Sequence, residues 1–368
     1  MRDELESAGA GMPLWDIDFS SALENRTGKY FIGRDIILDH RALIRRVYYW
    51  RRALPDPEGG LGTRLLRLGL KLETRSRGMF GGSPVPPRGA SAPTLHLDPF
   101  SVLHSVLHSK DIVLVHDLGP LTDPDLFQPW LERLYRAAYR KIVETRARTV
   151  FVSGASRDAF KALFGATPGM TVIYPHIRCG IRHQDQQPVA KLSGPYLLTV
   201  GSLGRRKNQL ATIRAFAQSG LAARGFSFVL CGAREPGADA VERAAVATPG
   251  VRLLPYVSDA ELTWLYSNAA GFVLVSRLEG FGMPVAEAIS HGMVPLVTQS
   301  SVLEEVAGRG ALTASASDEQ GIAAGMIHLA MMSAAERRRR VEALRLSVHR
   351  FTAEGFAESW RRELSLQP

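Results

Sequence analysis

The chain has 368 residues, 45% of them hydrophobic and 22% charged, and a formal net charge of +9 at pH 7. This length favours two domains over a single hydrophobic core. The composition is that of a soluble globular protein, and no apolar run is long enough to span a bilayer. The positive charge predicts a polyanionic partner, whether nucleic acid, an anionic membrane surface or a phosphorylated ligand.

The N-terminus and the cysteines narrow the class of protein further. Residues 1–16 carry acids and lack the apolar core of a signal peptide, which predicts a cytosolic site of action. The two cysteines, Cys179 and Cys231, belong to no C-x-x-C pair and no Cys/His cluster. We therefore expect neither a disulfide framework nor a structural zinc site, and we interpret both cysteines as small buried hydrophobic residues.

The first half of the chain shows a loose alternation of strand and helix patterns, which predicts an α/β domain over residues 1–180. A basic amphipathic helix is predicted at 132–147 and a second helix at 156–165. The apolar runs that predict strands are "LWDIDFS" (14–20), "DIVLVHDLGPL" (111–121), "RTVFVSGAS" (148–156) and "MTVIYPHI" (170–177).

Residues 40–95 differ from the rest of this half, because cations crowd together with interleaved leucines and the aromatic run "YYW" (48–50). One interpretation is a pair of solvated amphipathic helices. The other is a basic, aromatic-bearing face for an anionic membrane or a lipid-phosphate acceptor. The Gly/Pro-rich stretch at 81–93 predicts a flexible loop. The cations are Arg41, Arg45, Arg46, Arg51, Arg52, Arg64, Arg67, Lys71, Arg75, Arg77 and Arg88.

The second half alternates strand and helix throughout, which is typical of a parallel, doubly wound sheet. Ser258 with Glu261, and Ser301 with Glu304, have the spacing of helix capping boxes. We expect a linker at 181–195, this second domain at 196–345, and a C-terminal helix at 346–368 that could pack back on the first domain. The predicted strands are 195–201, 226–232, 251–257, 271–276 and 294–299.

The segment "SRLEGFGMPVAEAISHG" (276–292) follows a strand of this second domain and carries two carboxylates, Glu279 and Glu287. Gly280 and Gly282 allow the backbone to approach a ligand closely, and Pro284 suits the first turn of a helix, whose free N–H groups favour an anion. Carboxylates beside a bound diphosphate would be repelled by it, so their natural partners are sugar or ribose hydroxyls. The segment therefore suits a sugar nucleotide.

A second loop, "VGSLGRRKNQL" (200–210), follows the first strand of the same domain. It places Arg205, Arg206 and Lys207 at the same edge of the predicted sheet, where ligands of such sheets bind. Two or three cations at this edge can neutralise a diphosphate.

These stretches, together with "FVLCG", "PYVSDAELTWLYSNA" and "SSVLEEVAG", resemble the retaining glycosyltransferases of family 4. The resemblance covers most of 190–310 and islands in the first half, such as "VHDLGPLTDPDLF". It implies the GT-B fold, in which two Rossmann-like doubly wound domains face a central cleft. It also implies a sugar-nucleotide donor and no metal or other cofactor.

The resemblance also implies roles for single residues. Glu279 would contact the transferred sugar and Glu287 the ribose, while Lys207 with Arg206 would stabilise the departing diphosphate. From the first domain, His116 would lie near the sugar. The further implied donor contacts are Gly280, Phe281, Gly282, Met283, Pro284, Ser202, Arg205, Tyr256 and Val257, with Thr27 and Gly28 of the "RTGKY" loop near the diphosphate. Ser202 stands where some relatives carry an arginine, so Arg205 or Arg206 would replace that cation.

The function implied is transfer of mannose from GDP-mannose, with retention of configuration, to a lipid-phosphate-linked or polysaccharide-precursor acceptor. Its expected place is the inner face of the plasma membrane, as a peripheral protein. Three alternatives stay open: a UDP-, dTDP- or ADP-sugar donor, a sugar-nucleotide epimerase or phosphorylase of the same fold, and a non-catalytic scaffold. A nucleic-acid binder is disfavoured, because no helix-turn-helix, RNP or zinc-finger pattern is present.

Several motifs are poor evidence for a metal or a nucleotide fingerprint. "DID" (16–18) falls in a predicted buried strand, and "DPD" (123–125) in a separate loop. His104 and His108 have no E-x-x-H context, and we interpret them as a polar helix face. "GSLG" and "GGLG" are too short for a dinucleotide fingerprint.

Overall fold

The computed structural model describes residues 14–24, 28–56, 60–81, 87–89, 92–178, 186–189, 192–254 and 257–366. Thr27, Tyr256 and Cys179 lie outside the described residues, as do parts of the 81–93 loop and of the 181–195 linker. The chain divides into two compact units. Unit 1 comprises the described residues up to Pro175 and from Glu354 onward, and unit 2 runs from His176 to Ala353.

Unit 1 is built on a seven-stranded sheet in the order β3-β2-β1-β4-β5-β6-β7. Every neighbouring pair is parallel except β2 with β3. The predicted strands at 14–20, 111–121, 148–156 and 170–177 are confirmed as β1, β5, β6 and β7. The strands are β1 (Trp15–Asp18), β2 (Ile44–Tyr49), β3 (Arg52–Ala53), β4 (Thr94–His96), β5 (Ile112–Val115), β6 (Arg148–Phe151) and β7 (Met170–Val172).

The helices of unit 1 bury one apolar face against this sheet or against each other. In α4 the buried residues are Leu134, Tyr135, Ala138, Tyr139 and Ile142, which recur at the three- and four-residue spacing of an amphipathic helix. The helices so far are α1 (Gly28–Asp39), α2 (Leu61–Phe80), α3 (Gly119–Thr122), α4 (Pro129–Thr145) and α5 (Gly154–Phe164).

The expectation of two amphipathic helices within 40–95 is wrong for its first part. Ile44–Tyr49 is a strand that pairs with β1, and the single described α-helix of this region is α2. The strand is stabilised by Arg45, whose guanidinium lies 2.6 Å and 3.0 Å from the two oxygens of the buried Asp16 carboxylate. A bidentate pair of this kind fixes the register of β2 against β1.

The interpretation of His104 and His108 as a polar helix face is also wrong. His104 follows a 3₁₀ turn at Pro99–Leu103 and is buried, with Nδ1 3.2 Å from the Glu73 carboxylate of α2. His108 lies in a loop, where its backbone N–H donates to Asp111 at 2.7 Å.

Unit 2 is built on a six-stranded, all-parallel sheet in the order β10-β9-β8-β11-β12-β13. The five predicted strands of the second half are all present; of the third, residues 255 and 256 lie outside the described residues. The strands are β8 (Tyr196–Val200), β9 (Ser227–Cys231), β10 (Val251–Leu254), β11 (Gly271–Leu274), β12 (Pro295–Thr298) and β13 (Leu312–Ala314).

The caps of the unit 2 helices test two local predictions. The capping box of Ser258 and Glu261 is confirmed, with both reciprocal hydrogen bonds present. The second box is wrong in detail, because Ser301 accepts from Leu303 while the Glu304 carboxylate accepts from the N–H of Ser300. The helices are α6 (Gln209–Ser219), α7 (Ala238–Ala247), α8 (Asp259–Asn268), α9 (Met283–Ser290), α10 (Val302–Ala307), α11 (Glu319–Met331) and α12 (Ala334–Val348).

The last helix, α13 (Ala353–Ser365), completes the core of unit 1. Trp360 is fully buried, and the indole N–H of Trp15 in β1 donates to the carbonyl of Leu364 at 3.0 Å. Arg148 at the start of β6 pairs with the Glu363 carboxylate. The two ends of the described chain are thus tied to one sheet.

Candidate active site

Two glycines bring the carboxyl ends of β8 and β9 together in unit 2. Gly201 and Gly232 have φ values of +145° and +154°. A Cβ added to Gly232 would lie 2.0 Å from the carbonyl oxygen of Gly201. Because Gly232 has no side chain, the backbones of the two loops can come close together. The Leu203 N–H donates to the carbonyl of Ala233 at 2.7 Å.

The cationic turn Arg205–Lys207 is a 3₁₀ turn held by the two residues that follow it. Asn208 adopts a left-handed conformation, and its amide donates to the carbonyls of Val275 and Ala316 at 3.1 Å and 2.8 Å. The buried Gln209 amide accepts from the Gly204 N–H and donates to the Ser202 carbonyl. The turn is therefore fixed to the carboxyl edge of the sheet, beside the end of β11.

Glu279 lies in the loop after β11 and receives three side-chain contacts. The Lys207 Nζ lies 2.5 Å from Oε1, and the Arg206 Nη1 lies 3.1 Å from Oε2. The Ser276 hydroxyl donates to Oε1 at 2.8 Å. The predicted pair of cations and the predicted acid thus form one cluster at the carboxyl edge, which we call the Glu279 cluster.

Burial and charge act in opposite directions within the Glu279 cluster. Burial alone would raise the pKa of the Glu279 carboxyl, but Lys207 and Arg206 outweigh it and the pKa lies below its ordinary value. Burial lowers the pKa of the Lys207 ammonium, and the attraction of Glu279 offsets part of that shift. Glu279 is therefore the counter-ion that opposes the effect of burial on Lys207.

Gly280 and Gly282 lie between Glu279 and the N-terminus of α9. Gly282 has a φ of +97°, and a Cβ there would lie 2.3 Å from the Leu303 side chain. Phe281 is buried edge-on against Phe351, with ring centroids 5.1 Å apart. Met283 begins α9 and Pro284 lies in its first turn. Gly280, Met283 and Pro284 are half-buried. The helix N-terminus is the anion-favouring end that the sequence predicted at this position.

Glu287 lies one turn into α9 and is almost fully buried. The Arg178 guanidinium lies 2.8 Å and 3.0 Å from its Oε1, and the Tyr266 hydroxyl donates to Oε2 at 3.0 Å. His291 stacks on the Tyr266 ring, and its Nδ1 lies 2.9 Å from the Glu287 carbonyl. The orientation of the Glu287 carboxylate is therefore fixed. The contact of Glu287 with a ribose stays a prediction.

The remaining predicted donor contacts of unit 2 lie at the margins of this edge. The Ser202 hydroxyl lies 3.5 Å from Arg206 Nη2, at the limit of a hydrogen bond. Arg205 is exposed, and Val257 is half-buried before α8. Tyr256 lies outside the described residues.

Unit 1 has its own polar cluster at the carboxyl ends of β4 and β5. His116, just after β5, is buried, and its Nε2 donates to the Leu97 carbonyl at 3.0 Å. Burial lowers the pKa of the His116 imidazole to about 4, so the ring is neutral at pH 7. Lys29 lies 3.6 Å from Asp98 and 3.8 Å from Asp117. Gly28 is exposed at the start of α1, and its neighbour Thr27 lies outside the described residues.

Sequence reasoning missed several partners of the predicted residues. Arg178 and Tyr266 hold Glu287 from 109 and 21 residues away. Ser276 and Glu235 contact Glu279 and Arg206 respectively. A single sequence carries no signal for pairs so far apart, whereas Ser276 lies inside the segment already singled out.

The two acids of "DID" are engaged in ion pairs. Asp16 pairs with Arg45, and Asp18 with Arg88 at 3.0 Å. Among the described residues, no group of three His, Cys, Asp or Glu side chains is arranged to hold a metal ion. Within the same residues, no helix is both long and apolar enough to cross a bilayer.

Comparison with solved structures identifies the class of fold. HepE from Anabaena, solved with UDP and glucose, has a TM-score of 0.69 at 15% identity, covering 96% of this chain and 100% of that chain. A UDP-forming α,α-trehalose-phosphate synthase from Burkholderia vietnamiensis has a TM-score of 0.61 at 13% identity, covering 84% and 78%. The chain has two α/β units, each built on a largely parallel sheet, and it has the GT-B fold, as predicted.

A comparison with protein families rests on sequence. Residues 181–344, somewhat less than half of the chain, match the family described as "Glycosyl transferases group 1". The resemblance to glycosyltransferases is thereby confirmed.

Two of the curated relatives are described as O-antigen chain mannosyltransferases. O-antigen chain mannosyltransferase B of Escherichia coli is 26% identical over 232 residues, covering 59% of this chain and 60% of that protein. O-antigen chain mannosyltransferase RfbU of Salmonella typhimurium is 27% identical over 214 residues, covering 56% and 57%. The chain thus spans no more than about 60% of the length of either relative.

Proposed function

We propose that the protein is a glycosyltransferase that moves a sugar from a nucleoside diphosphate sugar to an acceptor hydroxyl. The observation that carries the proposal is the Glu279 cluster, where two cations and one buried carboxylate meet at the carboxyl edge of the unit 2 sheet. Lys207, Arg206 and the exposed Arg205 of the same turn outnumber the carboxylates of Glu279 and Glu235, so this edge keeps an excess of positive charge. That excess suits the diphosphate of a donor.

Each residue of the cluster has a distinct role in the proposed reaction. Lys207 and Arg206 hold the diphosphate and stabilise the charge that develops as the bond between the sugar C1 and the phosphate oxygen breaks. The Glu279 carboxylate accepts hydroxyl groups of the transferred sugar and keeps Lys207 charged. Glu287, oriented by Arg178 and Tyr266, accepts a ribose hydroxyl.

The proposal also includes the stereochemistry of the transfer and the path of the acceptor proton. We propose that the acceptor oxygen forms its bond to C1 on the face that the phosphate leaves, so the configuration is retained. The acceptor proton passes to the leaving phosphate oxygen, which leaves all atoms balanced without a separate base. Glu279 is then no nucleophile, because the acceptor oxygen bonds C1 directly and no bond forms between C1 and the protein. We propose that no metal takes part, because Lys207 and Arg206 supply the countercharge.

For the donor we propose GDP-mannose, which the likeness to O-antigen mannosyltransferases supports. The acceptor we propose is a lipid-phosphate-linked or polysaccharide-precursor saccharide, met at the inner face of the plasma membrane. One observation favours a second donor: HepE, which shares the fold, was solved with UDP-glucose. A UDP-sugar is therefore the alternative.

The test is a thermal-shift panel of GDP, UDP, dTDP and ADP, each with Mg²⁺ and with EDTA. We expect GDP to raise the unfolding temperature, because a ligand at about 100 times its Kd adds about 2.7 kcal/mol of stability. The rise should be equal in both buffers, because the proposed site needs no metal. Stabilisation by UDP alone would move the proposal to the alternative donor. Loss of the shift in EDTA would contradict metal independence.

A pair of variants locates the effect. Lys207→Met should remove most of the shift that GDP produces. Arg214→Gln is the matched control, because Arg214 is an exposed cation of α6 that pairs with Glu319 instead of Glu279. Indifference of the wild-type protein to all four nucleotides would overturn the proposed function.

A further inference from the structure

Helix α2 of unit 1 presents a stripe of exposed apolar side chains. Leu65, Leu68 and Leu72 are 60%, 54% and 62% exposed, and Leu61 and Met79 continue the stripe at 74% and 47%. At about 100° of rotation per residue, these five positions fall within about 60° of arc. Phe80, at the end of the helix, is 79% exposed. An apolar stripe of this length on a surface helix indicates a binding surface.

The packing of α2 shows that this stripe faces away from unit 1. The opposite face is anchored by the buried Glu73, which accepts from the Trp50 indole N–H at 2.7 Å and pairs with Arg51 and Arg77 at 3.1 Å. A Cβ on Gly69 would lie 2.4 Å from the Trp50 ring. These contacts fix which face of α2 packs against unit 1, and the leucines of the stripe are exposed on the other face.

The charges of α2 identify the chemistry of the partner. Four cations, Arg64, Arg67, Lys71 and Arg75, follow one flank of the stripe and are exposed. The single acid within the helix, Glu73, is buried. Arg67 also donates to the Leu23 carbonyl, and the Glu24 carboxylate on the preceding loop attracts Lys71 and Arg67. Arg64 and Arg75 have no ion-pair partner within the described part of the chain.

We propose that α2 docks on an anionic lipid bilayer, lying in the interface with the leucine stripe toward the acyl chains and the cations toward lipid phosphates. A helix of 20 residues is about 30 Å long, so both the stripe and the row of cations can engage one flat surface. A second copy of this chain fits less well, because it would bring two rows of cations together. The inference concerns unit 1 and stands whichever donor unit 2 takes.

Vesicle flotation of the full chain tests the proposal. We expect the protein to float with vesicles of equal parts phosphatidylglycerol and phosphatidylcholine, to float poorly with phosphatidylcholine alone, and to detach as salt rises. The triple variant Leu65→Gln, Leu68→Gln, Leu72→Gln should partition at least about tenfold less. Replacing Arg64, Lys71 and Arg75 with Gln should cost about fivefold per cation at low salt.

The matched control removes apolar side chains that are equally exposed elsewhere. Val246 and Leu346, at 89% and 78% exposure in unit 2, are changed to Gln, and flotation should not change. Circular dichroism and the GDP-induced thermal shift should be the same in all variants, because the substituted side chains lie on the surface.

Two outcomes would overturn the proposal. The first is flotation that the leucine triple variant leaves unchanged. The second is a dimer in sedimentation velocity that this variant dissociates, with no flotation of the wild-type protein, which would assign the stripe to a second copy of the chain.

Discussion

Replacing Lys207 by Met tests the electrostatics of the Glu279 cluster. Methionine keeps the apolar stem that packs near Gly201, where a Cβ would lie 3.3 Å from the Lys207 Cε, and removes the ammonium. The buried Glu279 carboxylate then keeps only Arg206 and Ser276. Removing one partner of a buried ion pair costs about 3–5 kcal/mol, and with these two contacts left we expect a loss of about 2–3 kcal/mol at pH 7.

The pH dependence of this loss follows from the sign of the pKa shift. In the wild-type protein the pKa of Glu279 lies below 4.5, so its stabilising contribution is present above pH 4.5 and is lost as pH falls through the folded-state value. In the variant, burial raises the pKa of Glu279 with less opposition from cations. Stability is then lost as pH rises, so the deficit of the variant should be larger at pH 7 than at pH 4.5.

Hydrogen exchange of the β8 and β11 amides measures this free energy for unit 2 alone. The double variant Lys207→Met, Glu279→Gln should recover most of the loss, because no buried charge is left without its partner. A deficit that is equal at both pH values, or one that the second substitution does not reduce, would refute this account of the cluster.

Two further predictions concern the two sheets. Burial lowers the pKa of His96 to about 3 and that of His116 to about 4, so the unfolded chain binds more protons between pH 6.5 and about 4. The free energy of unfolding of unit 1 should therefore fall on acidification by up to about 1.4 kcal/mol per pH unit for each histidine, and His96→Gln should flatten that slope in urea titrations; a flat wild-type profile would show that the rings are not held neutral. Gly232→Ala should destabilise unit 2 by about 2–4 kcal/mol, because its methyl group would meet the Gly201 carbonyl. Gly225→Ala, where φ is +80° but nothing lies within 4 Å, should cost about 1 kcal/mol, and equal unfolding temperatures for the two variants would contradict the steric argument.

The sequence predicted best what depends on short segments. The capping box of Ser258 and Glu261 is complete within four residues, and its geometry is confirmed. The buried strands were predictable from apolar runs in the sequence, such as the four buried residues of β5. The cluster of Glu279, Lys207 and Arg206 was predictable because parallel strands bring their carboxyl ends to one edge of the sheet.

The failures lie where distant residues decide the structure. The cations and leucines of 40–95 suggested two amphipathic helices, yet Arg45 lies in the strand β2 and pairs with Asp16, 29 residues earlier in the chain. His104 was placed on a polar surface, whereas it is buried against Glu73 of α2. Arg178 and Glu287 are 109 residues apart, and neither position by itself predicts the ion pair. In each case a side-chain contact between residues far apart in the chain decides the structure.

The most direct test of the central claim compares a nucleoside diphosphate with its monophosphate. In calorimetric titrations of the full chain, GDP should bind at least about tenfold more tightly than GMP, since charged hydrogen bonds such as those to Lys207 and Arg206 contribute about 1.5–3 kcal/mol each. Lys207→Met should remove most of that difference and Arg214→Gln none of it. Equal affinities for GDP and GMP in the wild-type protein, or a difference that survives in Lys207→Met, would contradict the assignment of the Glu279 cluster as the diphosphate site.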